Sequence, residues 1–542
     1  MARALRGLSP ALGALPVMLL WALPLVASVF ALLPAAADNR AWQLLIVHPQ
    51  LWQGLLLALT TGGGATVLAL FLTIIILAGF EHQAVRHRLQ SIAAAGLAVP
   101  HLAFAIGFGF LIMPSGLIAR LLVGGDAPPG WITVQDPWGL SLTMALALKE
   151  LPFLLITALA TLARGDAARR LELEGRAAAS LGHGAGSIWL RIVLPQTIPG
   201  LRWPLVIVFI YGATVVDMAL VLGPTQPPTL AVIIWTSLNH ADAAVNGMGV
   251  AMTLLLTAVL AAALATAFLL LHVTDAWQRR FLCLGPSTLA APRRTAWLLA
   301  LTATAVMAAS ILILGFLSLV PRWPYPALTP PVVSLDAWTR LFQAPAAVGL
   351  SLAVSALASA CALGLTLAWF ETQPRQRDRM LIGLALASLA LPQLATAGGQ
   401  YRLFLHLGLT GTPAGLFLAH LTPTLAYVLI VLHGPYRGFD ERFMMAARSL
   451  SVAEPRALLL VKLPLLKAPL LTAGAIGFAV SMAQFVPAQL MAAGRYSTLP
   501  MEAVTLSSGG NRPLMAAFAT CLAVLPLLAF LAAARLGRPR WR

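Results

Sequence analysis

Along most of this chain apolar residues run on without the polar interruptions that give a soluble helix or strand one wet face. Stretches of about 20 apolar residues, enough to cross a bilayer as a helix, lie near 11–36, 54–80, 91–113, 139–163, 203–223 and 246–273. They return near 297–320, 347–370, 381–400, 414–435, 469–491 and 514–534. The pattern predicts an all-α membrane protein of about twelve transmembrane helices. Glycines blur the ends of the third and ninth spans. The long inner segments fall after the fourth and the tenth spans, and a longer outer loop rich in Gly and Pro runs from Pro114 to Trp138.

Composition agrees. Of 542 residues 59% are hydrophobic and only 10% charged, where a soluble domain carries about 25%. The net charge of +17 could point to nucleic acid, but no basic face or aromatic platform accompanies it, so no nucleic-acid partner is expected. Topology explains the charge instead. With the N-terminus inside, most of the 35 lysines and arginines fall in cytoplasmic segments, as the positive-inside rule requires. Both termini are then cytoplasmic. Arg3 and Arg6 before an apolar run ending in Ala35-Ala36-Ala37 mimic a cleavable signal. The run is too long for a signal core of roughly 7–15 residues, and it is expected to stay as a helix. Cys283, Cys361 and Cys521 are isolated and imply neither a disulfide framework nor a metal site.

The chain repeats itself. Arg176-Ala177-Ala178, three residues, Gly182, nine residues and Ile192-Val193-Leu194-Pro195 recur as Met445-Ala446-Ala447, three residues, Ser451, nine residues and Val461-Lys462-Leu463-Pro464. Ala177, Ala178, Ser180, Leu181, Leu194 and Pro195 match Ala446, Ala447, Ser449, Leu450, Leu463 and Pro464 at one constant offset. Other landmarks recur in the same order: Phe80-Glu81 and Phe370-Glu371, Val99-Pro100-His101 and Leu391-Pro392-Gln393, Lys149-Glu150-Leu151-Pro152 and His420-Leu421-Thr422-Pro423, and Asp217 with Gln484. The chain therefore reads as two parallel six-helix repeats about an axis along the membrane normal. Residues 1–280 form one half, 281–296 a cytoplasmic linker and 297–542 the other half.

In each long inner segment a helix should end at Gly182 or Ser451, since the cap there adopts a left-handed conformation that glycine tolerates. A second short helix should run from about Ser187 to Leu194 until Pro195 breaks it. The alanines leave a face a partner could approach closely, and Leu181 and Leu450 offer apolar knobs. Two such elements would suit a two-fold-related partner.

These segments resemble the EAA loop of binding-protein-dependent ABC importer permeases, whose pattern is Glu-Ala-Ala, three residues, Gly, nine residues, Ile, one residue, Leu-Pro. The resemblance covers nearly the whole chain, and fusion of two halves is similar to the iron(III) and thiamine permeases of that group. It implies a type I importer permease fold in the bacterial inner membrane. It also implies two copies of a cytoplasmic ABC ATPase docked at Arg176, Ala177, Ala178, Leu181, Gly182, Leu194 and Pro195, and at Met445, Ala446, Ala447, Leu450, Ser451, Leu463 and Pro464. An extracytoplasmic solute-binding protein would complete the assembly. Two departures stand out: Arg176 and Met445 replace the family glutamate, and Ser451 replaces the glycine. Glu174, or Asp440 and Glu441, are the nearest substitutes for the missing carboxylates.

No lysine follows a glycine, so the chain has no phosphate-cradling Gly-Lys-Ser/Thr loop. It is not expected to be an enzyme by itself; ATP and Mg would sit on the partner. Polar groups inside spans are candidates for the solute pathway: Asp217, Gln484, Lys149, Glu150, His101 and His420. A lysine at mid-bilayer costs about 2.5–3.5 kcal/mol on insertion scales and demands a partner. They would suit a charged solute; iron(III), thiamine, inorganic anions and polyamines all stay open. A major-facilitator-like secondary transporter should instead have its largest inner loop in the middle of the chain, and a polytopic membrane enzyme should cluster acids or metal ligands on an outer loop. Neither pattern occurs.

Overall fold

The computed structural model describes residues 10–538, apart from 81–82, 124, 164, 274–279, 281–284 and 286. Every regular element among the described residues is helical. Among them, ten helices are long and apolar enough to cross a bilayer, and two sharply bent pairs raise the number to twelve. In the N-terminal half the elements are α1 (Gly13–Ala35), α2 (Leu51–Gly79), α3 (Gln83–Ala98), α4 (His101–Ile112), α5 (Leu140–Leu162), α6 (Gly165–Ser180), α7 (Leu194–Thr214), α8 (Asp217–Leu222) and α9 (Ala243–Val273). The C-terminal half gives α10 (Arg293–Leu317), α11 (Ala346–Thr372), α12 (Arg375–Ala390), α13 (Gln393–His406), α14 (Pro413–Arg437), α15 (Arg442–Ser449), α16 (Lys467–Met482), α17 (Val486–Ala492) and α18 (Arg512–Leu536).

Prolines place the breaks. Pro392 pushes Leu391 out of the helical region, to φ −78° and ψ 140°, because its ring collides with a helical predecessor. As a result α12 and α13 meet at 102°. Pro100 separates α3 from α4 at the matching place.

Leu-Pro pairs behave differently from expectation. Pro195 does not stop its helix. Ala185–Ile188 is α-helical, Trp189–Val193 forms one π turn, and the chain then runs straight into α7. The N–H of Leu194 reaches back five residues to Trp189 O. Proline then falls in the first turn of the resumed helix, the position that tolerates a missing N–H best. Leu463-Pro464 also follows a π turn, Leu458–Lys462, but there the helix ends at Leu465 and the chain bends by 75° before α16; Leu23-Pro24 follows Met18–Ala22 inside α1.

The two halves exchange their first helices. Trp21 of α1 donates its indole N–H to Thr422 O of α14 at 2.8 Å. Helix α1 also lies against α13, and α10 lies against α4 and α2. Close approach of this kind needs small residues, the main source of helix packing in lipid. A Cβ on Gly107 of α4 would lie 1.8 Å from Ser310 O of α10, and one on Gly399 of α13 would lie 2.1 Å from Ser28 O of α1. Arg120 crosses between the halves. Its guanidinium donates to the carbonyls of Trp323, Pro324 and Ala327 at 2.8, 2.9 and 2.5 Å and lies 4.1 Å from the Trp323 ring centroid.

Candidate functional site

Both repeated inner segments close with the same backbone hydrogen bonds. In the first, Gly182 N donates to Ala179 O and His183 N to Ala178 O. In the second, Ser451 N donates to Arg448 O and Val452 N to Ala447 O. These are the paired bonds of a Schellman cap, which needs a left-handed residue after the helix. Gly182 has φ +88° and Ser451 φ +61°, so Ser451 takes the strained backbone that glycine would take freely.

The cap decides which side chains face out. Leu181 and Leu450, each just before the left-handed residue, are 71% and 78% exposed. Arg176, Ala177, Met445 and Ala446 are exposed too. Ala178 and Ala447 are not; they are 7% and 6% exposed and pack against their own chain. Ala447 belongs to a small core with Met444 and Ala457. The expectation that these two alanines form the face a partner approaches is not met: each is buried on its own chain, while Ala177 and Ala446 stay exposed. Leu194 and Leu463 are half-buried at the π-to-α junctions, with Pro195 half-buried and Pro464 exposed.

Three of the nearby carboxylates, Glu172, Glu174 and Asp440, are already engaged. Glu172 pairs with Arg176, Glu174 accepts from Gln196 Nε2 at 2.5 Å, and Asp440 accepts from Arg442 N at 3.0 Å. That backbone N–H, with the Arg442 guanidinium, holds the Asp440 carboxyl below its usual range. Behind α15 lies a network the sequence reading missed. Arg437 grips Asp378 at 2.7 and 2.9 Å and also donates to the carbonyls of Phe370 and Gln373. Lys462 Nζ reaches Glu371 at 2.6 Å, and the same carboxylate accepts from Tyr436. The repeated Phe-Glu landmark was the available signal; its first copy, Glu81, lies outside the described residues.

Inside the helix bundle the breaks of the third and fifth spans come together. Asp217 does not sit within a continuous helix. It opens α8 after an extended Val215 ends α7, at a helix N-terminus that favours a negative charge. Gln484 lies likewise between α16 and α17. Broken backbone inside a membrane protein is tolerated where protein surrounds it. In the C-terminal half Gln393 Nε2 donates to Gln484 Oε1 at 2.9 Å. The counterparts of this pair, His101 and Asp217, are close enough to interact electrostatically. His101 Nε2 also bonds Glu150 Oε1 at 2.8 Å, and its ring centroid lies 4.6 Å from that of Tyr211. Lys149 turns away: it is 1% exposed and donates to Gly96 O at 3.1 Å. His420 bonds Ser481 at 2.9 Å within the C-terminal bundle. Of the pathway candidates, His101, Glu150 and Asp217 thus converge, Gln484 joins Gln393, and Lys149 and His420 are held by helices of their own half.

The chain is 30% identical over 528 residues, 95% of its own length and 95% of the relative's, to the inner membrane ABC transporter permease protein YnjC of Escherichia coli K12. It belongs to the ABC transporter permeases. Shorter matches agree. The spermidine/putrescine permease PotC of Haemophilus influenzae is 28% identical over 145 residues, 27% of this chain and 56% of that protein. The putrescine permease PotI of E. coli K12 is 29% identical over 186 residues, 32% of this chain and 66% of that protein. No family model matches. This permease is a multi-pass inner-membrane protein that forms the transmembrane part of an ABC importer, and such permeases work with a separate ATPase and a solute-binding protein.

Proposed function

We propose that the permease is driven through two cytoplasmic seats, one formed by α6 and its Schellman cap, the other by α15 and its own. Two ATPase copies, carrying the ATP and Mg, would occupy them. The observation that supports this most is the repeated cap, which leaves Leu181 and Leu450 exposed at equivalent places although the family glutamate is missing from both segments. Closure of the ATPase pair on ATP draws the seats together. The first seat continues through a π turn into α7, which ends beside Asp217; the second passes through its π turn and a 75° bend at Leu466 into α16, which ends beside Gln484. Movement of the seats therefore reaches the His101–Asp217 and Gln393–Gln484 positions, where the passage opens outward; hydrolysis resets it. ATP shifts this equilibrium because it binds the closed pair more tightly. Both termini lie in the cytoplasm, and residues 281–296 link halves at 1–280 and 297–542.

The test is co-purification of the ATPase with Leu181→Asp, Leu450→Asp and the double variant. Each single change should weaken ATPase retention and the double change should abolish it, with membrane insertion unaltered. Full retention by the double variant would overturn the proposal.

A further inference from the structure

The two seats share a backbone but not their surroundings. At the first, linker residues 287–290 run alongside as a strand of chain outside any regular element. Gly184 N donates to Ser287 O at 2.8 Å and Gly186 N to Leu289 O at 2.9 Å. Gly184 caps the helix Ala185–Ile188 and Gly186 lies in its first turn, so the linker carbonyls take up N–H groups that a helix leaves free at its start. Arg191 Nη1 adds a bond to Gly285 O at 2.7 Å. The approach admits no side chain: a Cβ on Gly184 would lie 2.6 Å from Leu289 O, and one on Gly186 would lie 2.5 Å from Ala290 O.

The second seat cannot hold such a strand. With the two repeats aligned on their Leu-Pro pairs, Gly184 and Gly186 become Ala453 and Pro455. Proline has no N–H to donate, and both positions carry the carbon that the strand's closeness forbids.

We infer that the linker strand Ser287–Ala290 is part of the surface that receives the ATPase at the first seat, so two ATPase copies meet non-equivalent seats. This rests on the docking reading above. The occupant follows from continuity. Only His183 and Gly182 separate the strand's partner Gly184 from the exposed knob Leu181, and Leu289 on the strand is 49% exposed, with Thr288 and Ala290 exposed beside it. An ATPase seated over Leu181 meets an apolar strand whose backbone is already hydrogen-bonded and so carries little further ordering cost. At the second seat it meets the α15 cap without a strand.

The experiment places a photo-crosslinking amino acid at Leu181, Leu289 or Leu450, one at a time, in membranes containing the whole importer. All three should crosslink to the ATPase. Crosslinking from Leu181 and Leu450 without Leu289 would overturn the inference while leaving the docking reading intact. Crosslinking from none of the three would remove both. A second arm uses Leu289→Asp, which leaves the strand's backbone bonds in place. The fraction of purified permease carrying two ATPase copies should fall about five-fold, the size of losing one buried apolar anchor, while complexes with one copy persist. Retention of two copies at the unaltered level would equally overturn it.

Discussion

The carbonyl oxygen of Ser310 lies where a side chain on Gly107 would begin, and Ser28 stands in the same relation to Gly399. Gly107 and Gly399 occupy the matching helices of the two repeats, α4 and α13. Each receives the first helix of the opposite half. Gly107→Leu or Gly399→Leu should therefore pry the halves apart, at a cost of at least about 1–3 kcal/mol, the usual range for overpacking. Thermal melting of the detergent-purified permease checks this; melting unchanged by either substitution would show that the exchanged helices are not held there.

Asp378 and Arg437 are 5% and 16% exposed in their side chains. Removing one partner of such a pair strands the other, typically at a cost of about 3–5 kcal/mol. Asp378→Ala should lower stability strongly and loosen the base of α14, from which the second seat hangs. The double change Asp378→Ala with Arg437→Met should recover much of the loss. A double-mutant cycle on unfolding midpoints gives the coupling, and additive losses would argue against the pair.

Ser451 offers a gain instead. Its left-handed backbone costs a non-glycine residue roughly 1 kcal/mol, so Ser451→Gly should stabilise the second seat by up to about that amount. The first seat should respond in the opposite sense to Gly182→Val. Amide hydrogen exchange over α15 and α6 reads both, with protection rising in one and falling in the other.

His101 and Glu150 sit at the meeting of the third and fourth spans. His101→Leu leaves the buried Glu150 without its 2.8 Å partner. Transport in vesicles should fall sharply, whereas Glu150→Gln, which keeps a hydrogen-bonding group there, should keep a larger share. Equal loss from the two would mean that the carboxylate's charge, and not its bond to the histidine, matters at this point.

Much of this was legible in residue order. Apolar length predicted eight of the spans within a few residues, since a bilayer sets the length of any helix that crosses it, but it misplaced the ends of the third, fifth, ninth and eleventh, where helices break. The constant offset between the repeats located both inner segments and their left-handed caps. Sequence reasoning failed where proline was taken as a stop. At Pro195 a preceding π turn shifts the hydrogen-bond register, so the missing N–H falls in a first turn. It failed again at Ala178 and Ala447, because small size alone does not say which side of a helix meets its own bundle.

What the sequence by itself determined was the number of crossings, the repeat and the two inner segments, all fixed by local chemistry: hydrophobic length, glycine at a cap, the register of Leu-Pro. What only the tertiary structure decided was partnership across long separations. The exchange of α1 and α10, the Arg120 bridge, the Arg437–Asp378 grip and the linker strand on Gly184 and Gly186 each join residues far apart in the chain. Such pairings depend on how closely two backbones can approach and on where each donor finds an acceptor away from water, which is settled only once the helices are packed.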